Sequence, residues 1–357
     1  MKIVTVIGAR PQFIKAAVMT HLLRHEHQEI MIHTGQHFDS NMSDIFFEEL
    51  DIAKPDYNLG ISGGSHGVMT GKMLIGIEEV LLKEKPDAVL LYGDTNSTIA
   101  GALAAVKLHI PVLHVEAGNR LGTLNNPEEV NRIATDHIST LLFPATESAM
   151  NFLIREGLKD RAHLVGNVMY DAFLYYSRRA EEVRKQPLDY EGKPVDIPEK
   201  YCYMTCHRAE NTQTDDALLE IFKATESLDI PTIYPVHPRN RERALRLGKN
   251  FRKLILIPPI GYLESVWLVK HASLILTDSG GLQCEAFYAG VKCVTVFDYV
   301  VWPETLVGNR NVMSAPKAGE IAEKLHQPQT IDPAYQPFGD GHACEKILKI
   351  TQKEFSR

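Results

Sequence analysis

Short apolar runs, each ended by a polar cluster and followed by a stretch of helical spacing, recur along most of the chain. In the first half they read KIVTVIG, IMIHTG, AVLLYGD, PVLHVEAG and LLFPATE. Behind them come PQFIKAAVMTHLLR, NMSDIFFEEL through HGVMTGKMLIGIEEVLLKE, STIAGALAAVKL, PEEVNRIATDHI and SAMNFLIREG, whose apolar residues repeat with helical period. Strands that alternate with helices predict βαβ units and a parallel sheet covered on both faces. Near Gly166-Asn167-Val168-Met169 the beat loosens into a helix, DAFLYYSRRAEEVRK, and then a polar, proline-containing passage, QPLDYEGKPVDIPEK. Strand-like runs then restart as YCYMTCHRAE, TIYPVHP, LILIPP, LILTDS and KCVTVF. The prediction is an α/β chain of two Rossmann-like, doubly wound domains, 1–167 and 168–340. A last helix within 341–357 crosses back onto the first domain, and ligand is expected in a central cleft at the carboxyl ends of the sheets.

Composition narrows the function. At 357 residues the chain has ample length for two cores, and 38 basic against 45 acidic residues give a net charge of −7. No Lys/Arg block stands out, which argues against nucleic acid as a partner. The apolar runs are strand-sized, and MKIVTVIGARPQF reaches Arg10 and Pro11 too early for a signal-peptide core, so neither membrane spanning nor export is expected. Five cysteines, odd in number and without a CxxC pair, read as buried free thiols in a reducing cytoplasm.

Candidate chemistry gathers where strands end. Leu276 to Glu285, LTDSGGLQCE, is a strand, a small-residue turn and a helix start. Helix N-termini offer unpaired N–H groups to anions, and Gly280 and Gly281 after Ser279 let a phosphate approach the backbone. The same turn also serves as a plain tight connection; Glu285, on the first turns beyond, adds a carboxylate suited to ribose hydroxyls. Arg10 and Lys15 follow the first strand and suit a diphosphate clamp, or stand solvated at a helix start. Asp94, before a small-residue helix, reads equally as a helix cap or an acid. His114 and Glu116 share one face of an apolar strand, where charge is expensive to bury. Glu128 and Arg132 are four apart on a helix that opens with Pro127, an arrangement that also fits ordinary helix-start chemistry. His37 favours a surface or capping role, and His207 and His237 end strands in the second half. None of these has metal-ligand spacing, so no metal is expected. Acids and bases beside a phosphate site suit general acid/base cleavage of a glycosyl phosphate whose leaving group is a diphosphate. No GxSxG, Walker lysine or GxGxxG is present.

The segments GARPQFIK, TGQH, YGDTNST, HVEAG, PEEVNR, TDHIS, LLFPATE, HRAEN, HP and TDSGGLQCEA, in this order, resemble the non-hydrolysing UDP-N-acetylglucosamine 2-epimerase family. The resemblance spans nearly the whole chain. It implies the GT-B architecture, a cytoplasmic homodimer, a UDP-sugar substrate and inversion at C2 of UDP-GlcNAc to UDP-ManNAc for surface polysaccharide synthesis, with no redox cofactor. By this match UDP is eliminated from C1 as the C2 proton leaves, and re-adds to a bound 2-acetamidoglucal. Asp94, Glu116 and Glu128 share the proton transfers, with base and acid unassigned. His207, Arg10 and Lys15 hold the diphosphate, Ser279, Gly280 and Gly281 wrap it, Glu285 binds the ribose, and Arg132 and His237 complete the substrate contacts. Against the family's common GTRPE, HRREN and RDTTERPE, this chain reads GARPQ, HRAEN and FDYVVWPE, which sets Phe297 and Trp302 where arginines usually stand. Gln12, the NMSDIFFEEL segment and the Trp-Pro-Glu pattern resemble a subgroup acting on UDP-2,3-diacetamido-2,3-dideoxyglucuronate, and the arginines missing from the TGQH and HRAEN regions argue against a second, activating UDP-GlcNAc site. A tryptophan at 302 is suited to stacking on a sugar. A GT-B glycosyltransferase and a non-catalytic nucleotide-sugar binder are the remaining alternatives.

Overall fold

The structure is a computed structural model that describes residues 1–36, 49–52, 54–183 and 186–355; His37 and most of the NMSDIFFEEL segment lie outside the described residues. The chain divides into two compact units, Met1–Tyr175 with Gln336–Arg357, and Tyr176–Tyr335.

In the first unit, β1 (Lys2–Ile7), β2 (Gln28–His33), β3 (Tyr57–Asn58), β4 (Ala88–Tyr92), β5 (Val112–Ala117) and β6 (Leu141–Pro144) form a parallel sheet in the order β3-β2-β1-β4-β5-β6. Every residue of β1 after Lys2 is buried, the continuous apolar signature of a strand covered on both faces. The helix Asn96–Lys107, NSTIAGALAAVK, is built from small residues and packs tightly on this sheet. A Cβ on Gly101 would come within 2.8 Å of Leu91 Cδ2, so glycine sets how closely that helix lies. Val4, Val6, Val89 and Leu91 from the strands meet Ile77, Val80 and Ala100 from the helices in one core. The helix Ala343–Phe355 also belongs to this unit. Its Cys344 N–H donates to Asp171 Oδ2 at 2.8 Å, and burial holds the Asp171 carboxyl above the usual range.

In the second unit, β7 (Cys202–Thr205), β8 (Thr232–Pro235), β9 (Leu254–Ile257), β10 (Leu274–Thr277), β11 (Lys292–Val296) and β12 (Asn311–Ser314) run parallel in the order β12-β11-β10-β7-β8-β9. In each unit the first strand of the chain, β1 or β7, lies at the centre of the sheet. Strand order reverses between β1 and β4 in one unit and between β7 and β10 in the other, and ligand crevices form at the carboxyl side of such reversals. The ten apolar runs all become strands. The two strands that the pattern missed, β3 (YN) and β12 (NVMS), are sheet edges, short and partly polar. All five cysteines are free and buried. Among the described residues no helix is long and apolar enough to cross a membrane.

Candidate active-site residues in each unit

At the first reversal Gln12 ties the ends of β1 and β4 together. Its Oε1 accepts from the N–H groups of Gly8 (2.8 Å) and Ala9 (3.0 Å), and its Nε2 donates to the Tyr92 carbonyl (2.8 Å) and the Thr95 hydroxyl (3.0 Å). An amide offers an acceptor at one tip and a donor at the other, so glutamine matches both sides of the join at neutral pH. Gly8 is indispensable there, because a Cβ would collide with Ser97 Oγ and Thr34 Oγ1.

Beyond this join lie two ion pairs. Glu116 has φ 66°, in the left-handed region, at a bulge where the register of β5 on β6 shifts between Val115 and Ala117. Such a backbone costs ~1–3 kcal/mol in a residue other than glycine, and it turns the side chain out of the strand's alternation. The carboxylate meets the Lys15 ammonium, both groups being largely buried. Asp94 pairs with Arg132, whose other terminal nitrogen donates to Glu129 Oε2 at 2.5 Å. Burial opposes the Arg132 charge, but Asp94, Glu129 and the nearby Glu116 outweigh it and raise its pKa. Lys15 Nζ also lies beside Gly93, so Lys15, Asp94, Glu116 and Arg132 form one cluster at the ends of β4 and β5.

His114 does not join that cluster. Its ring is fully buried, with Nε2 2.7 Å from the Gly93 carbonyl and Nδ1 2.7 Å from Asp136 Oδ1. Held between these two oxygens, the ring braces the turn that carries Asp94. Asp136 also accepts from Gly118 N–H (3.0 Å) and pairs with Arg120 (2.8 Å), which reaches Glu156 at 2.7 Å. Burial pushes the Asp136 carboxyl up, yet His114 and Arg120 prevail and hold it below the usual range. Glu128 stands on the exposed side of the helix Pro127–Ile138, whereas its neighbour Glu129 is the buried acid, accepting from the N–H groups of Leu121 (2.8 Å) and Gly122 (3.1 Å). Arg132 is thus shared by Asp94 and Glu129, while Arg10 sits half-buried at the opening of the helix Arg10–Glu26.

At the second reversal Asp278 ends β10 and is 1% exposed. Its carboxylate accepts from the backbone N–H groups of His207 (3.0 Å) and Arg208 (2.9 Å), which fixes the end of β7 against the end of β10. Ser279 caps the helix Gly280–Ala289 by accepting from Leu282 N–H at 3.4 Å, and Gly280 and Gly281 form the open first turn. The His207 ring is half-exposed, 3.4 Å from Asp278 Oδ1 and 5.9 Å from the ring of His237. Glu285 is buried on the same helix and accepts from the Tyr262 hydroxyl at 3.0 Å; burial pushes its carboxyl up to about 7.

The two unusual aromatic positions diverge. Phe297 lies under the Arg208 guanidinium at 3.6 Å, and Arg208 also donates to the Tyr299 hydroxyl at 3.2 Å and to the Asp278 carbonyl at 2.8 Å. Trp302, at 6% exposure, is part of the core rather than a surface for stacking on a sugar. Asp278, Glu129, Asp136 and Gln12 carry this geometry without having been singled out as site residues. One signal was available: Glu129, Arg132 and Asp136 are spaced i, i+3, i+7 and form a polar stripe on the buried face of their helix.

The architecture matches solved GT-B-like structures across the chain. A Methanocaldococcus jannaschii UDP-GlcNAc 2-epimerase, solved with UDP-GlcNAc and UDP, superposes with a TM-score of 0.85 at 40% identity, covering 99% of this chain and 100% of the other. The Neisseria meningitidis UDP-GlcNAc 2-epimerase bound to UDP-GlcNAc gives 0.84 at 28% identity, with the same coverage of both chains. The fold is therefore that of the two-domain nucleotide-sugar enzymes. The UDP-N-acetylglucosamine 2-epimerase family model matches residues 21–352, and the chain belongs to that family, whose members are isomerases. Among its relatives, the Pseudomonas aeruginosa UDP-2,3-diacetamido-2,3-dideoxy-D-glucuronate 2-epimerase is 45% identical over 99% of this chain and 100% of its own length.

Proposed function

We propose that this chain inverts C2 of UDP-N-acetylglucosamine, giving UDP-N-acetylmannosamine by elimination and re-addition of UDP. The observation that carries the reading is the pair of carboxylates at the ends of β4 and β5, each matched to a cation, Asp94 to Arg132 and Glu116 to Lys15. A carboxylate held by a partner cation is positioned to take a weakly acidic proton and return it, and positioning supplies much of the rate in such steps. Ser279, Gly280 and Gly281 receive the diphosphate, His207, Arg10 and His237 add to its contacts, and Glu285 takes the ribose hydroxyls. Lys15 is engaged by Glu116, so its role belongs with proton transfer as much as with the diphosphate. Glu128, on the exposed side of its helix, serves as a second acid at the glycosidic oxygen. The chain acts as a cytoplasmic homodimer that supplies surface polysaccharide precursors, and five buried free thiols fit a reducing compartment.

Incubation with UDP-GlcNAc in deuterated water tests the reaction: deuterium is expected at C2 of both epimers. Absence of exchange with any UDP-2-acetamido sugar would overturn it. A second substrate, the 2,3-diacetamido uronate, is favoured by the 45% identity to the enzyme acting on it and by Gln12 and Phe297 at departures from the common motifs. Comparing turnover of the two sugars separates the readings.

A further inference from the structure

Arg132 and its neighbour Asn131 grip Asp94 at two points. Arg132 pairs with the carboxylate, and Asn131 Nδ2 donates to the Asp94 backbone carbonyl at 3.0 Å. The preceding carbonyl, that of Gly93, meets the His114 ring at 2.7 Å, so successive peptide groups of the turn are both anchored. A carboxylate bonded at its tip alone still swings with its backbone, whereas one whose main chain is also tied is held in place.

The same Asn131 Nδ2 reaches Asn96 Oδ1 at 3.3 Å, and Asn96 Nδ2 lies 3.1 Å from Nδ1 of His66, the first residue of the helix His66–Glu84. The chemistry of each group fixes the direction of this polar chain. A backbone carbonyl only accepts, so the tip of Asn131 that meets Asp94 is its NH2 group. That NH2 group donates to Asn96, so the tip of Asn96 beside it is the oxygen, and the NH2 group of Asn96 turns toward His66. An amide nitrogen does not accept, so His66 Nδ1 is the acceptor, and in the neutral ring the proton sits on Nε2. The other approach between the two side chains, Asn96 Oδ1 to His66 Nδ1, is longer, at 3.5 Å. Asn96 is 6% exposed, a burial at which an amide turned the wrong way would leave its polar atoms mismatched. His66 is exposed and carries its Nε2–H donor outward.

We propose that Asn131 and Asn96 are positioning residues for the proton transfer at C2, fixing the backbone of Asp94 at one end of the chain and the Nε2–H tautomer of His66 at the other. The proposal rests on the reading of Asp94 as an acid that acts at C2. Turnover is to be measured on whichever of the two UDP-sugars the protein epimerises. Asn131→Ala, which keeps a good helix former, is expected to lower kcat between about tenfold and about 100-fold with KM and circular dichroism unchanged, as when a reacting group is displaced without loss of binding. Long-range nitrogen–proton correlation spectra of the neutral imidazoles give the second readout. The His66 signal, assigned by its loss in His66→Ala, is expected to show the Nε2–H pattern in the wild type and a mixture of both tautomers in Asn131→Ala, where Asn96 is free to turn. Wild-type turnover in Asn131→Ala, a loss confined to KM, or a wild-type His66 with its proton on Nδ1 would overturn the proposal and leave the reaction standing. A wild-type chain without exchange at C2 would overturn the reading of Asp94, and the positioning role with it.

Discussion

Glu116 combines a left-handed backbone with a buried cationic partner. Replacing it by glutamine keeps the shape and removes the proton acceptor. Glu116→Gln should therefore lose at least ~100-fold in turnover, the scale of general acid/base help, while UDP binding measured by calorimetry stays within a few-fold. Wild-type turnover would make the carboxylate structural. Glu285 makes a different prediction. Its folded carboxyl titrates at about 7, above the 4.5 of an ordinary glutamate. Between those values the folded state binds the extra proton, so the stability this group contributes is full below pH 4.5 and is lost as pH rises through 7. In Glu285→Gln that slope should vanish, making the variant relatively more stable by up to about 3 kcal/mol at pH 8. Urea melts at pH 5 and 8 measure the difference; identical slopes for both proteins would show that Glu285 does not titrate as described. If ribose hydroxyls donate to the carboxylate, UDP binding near pH 7 also releases a proton.

At the scale of elements, each functional group owes its position to a junction between strand ends. Gln12 joins β1 to β4, and Asp278 joins β7 to β10. Gln12→Glu would leave the Tyr92 carbonyl facing a carboxylate, with ~1–3 kcal/mol lost at pH 7.5. The loss should shrink at pH 5, where the introduced carboxyl takes up a proton and donates as the amide does. Equal melts at both pH values would remove Gln12 from this role. These junctions also mark where sequence stopped being informative. The period of the apolar runs, from KIVTVIG to KCVTVF, identified ten strands because both faces of a parallel strand are buried and its signal is continuous. It missed β3 and β12, whose sequences, YN and NVMS, are too short or too polar to make a continuous apolar run. Asp94, Glu116 and the Ser279 turn were visible as polar residues at the ends of apolar runs. The bulge at Glu116 was not, because one extra residue in a ladder leaves no compositional trace, and alternation placed His114 beside it when His114 braces Gly93. Between Glu128 and Glu129, adjacent acids in one first turn, only the packed face decides which is buried.

For the molecule as a whole, burial extends to every thiol. Cys202 and Cys293 are pushed to about 12 by burial, which leaves almost no thiolate to react at neutral pH. An aromatic disulfide reagent should therefore label the native chain slowly and all five cysteines at once in guanidinium. Rapid native labelling would reveal a local opening. Order of synthesis follows from another feature, the return of residues 336–357 to the first unit after the second has been threaded between. On the ribosome the second unit has its entire sequence before the first does. Until those late residues emerge, the helix Arg10–Glu26 lacks its neighbour Ala343–Phe355 and Asp171 lacks the Cys344 N–H. The half of the chain made first is thus the half completed last.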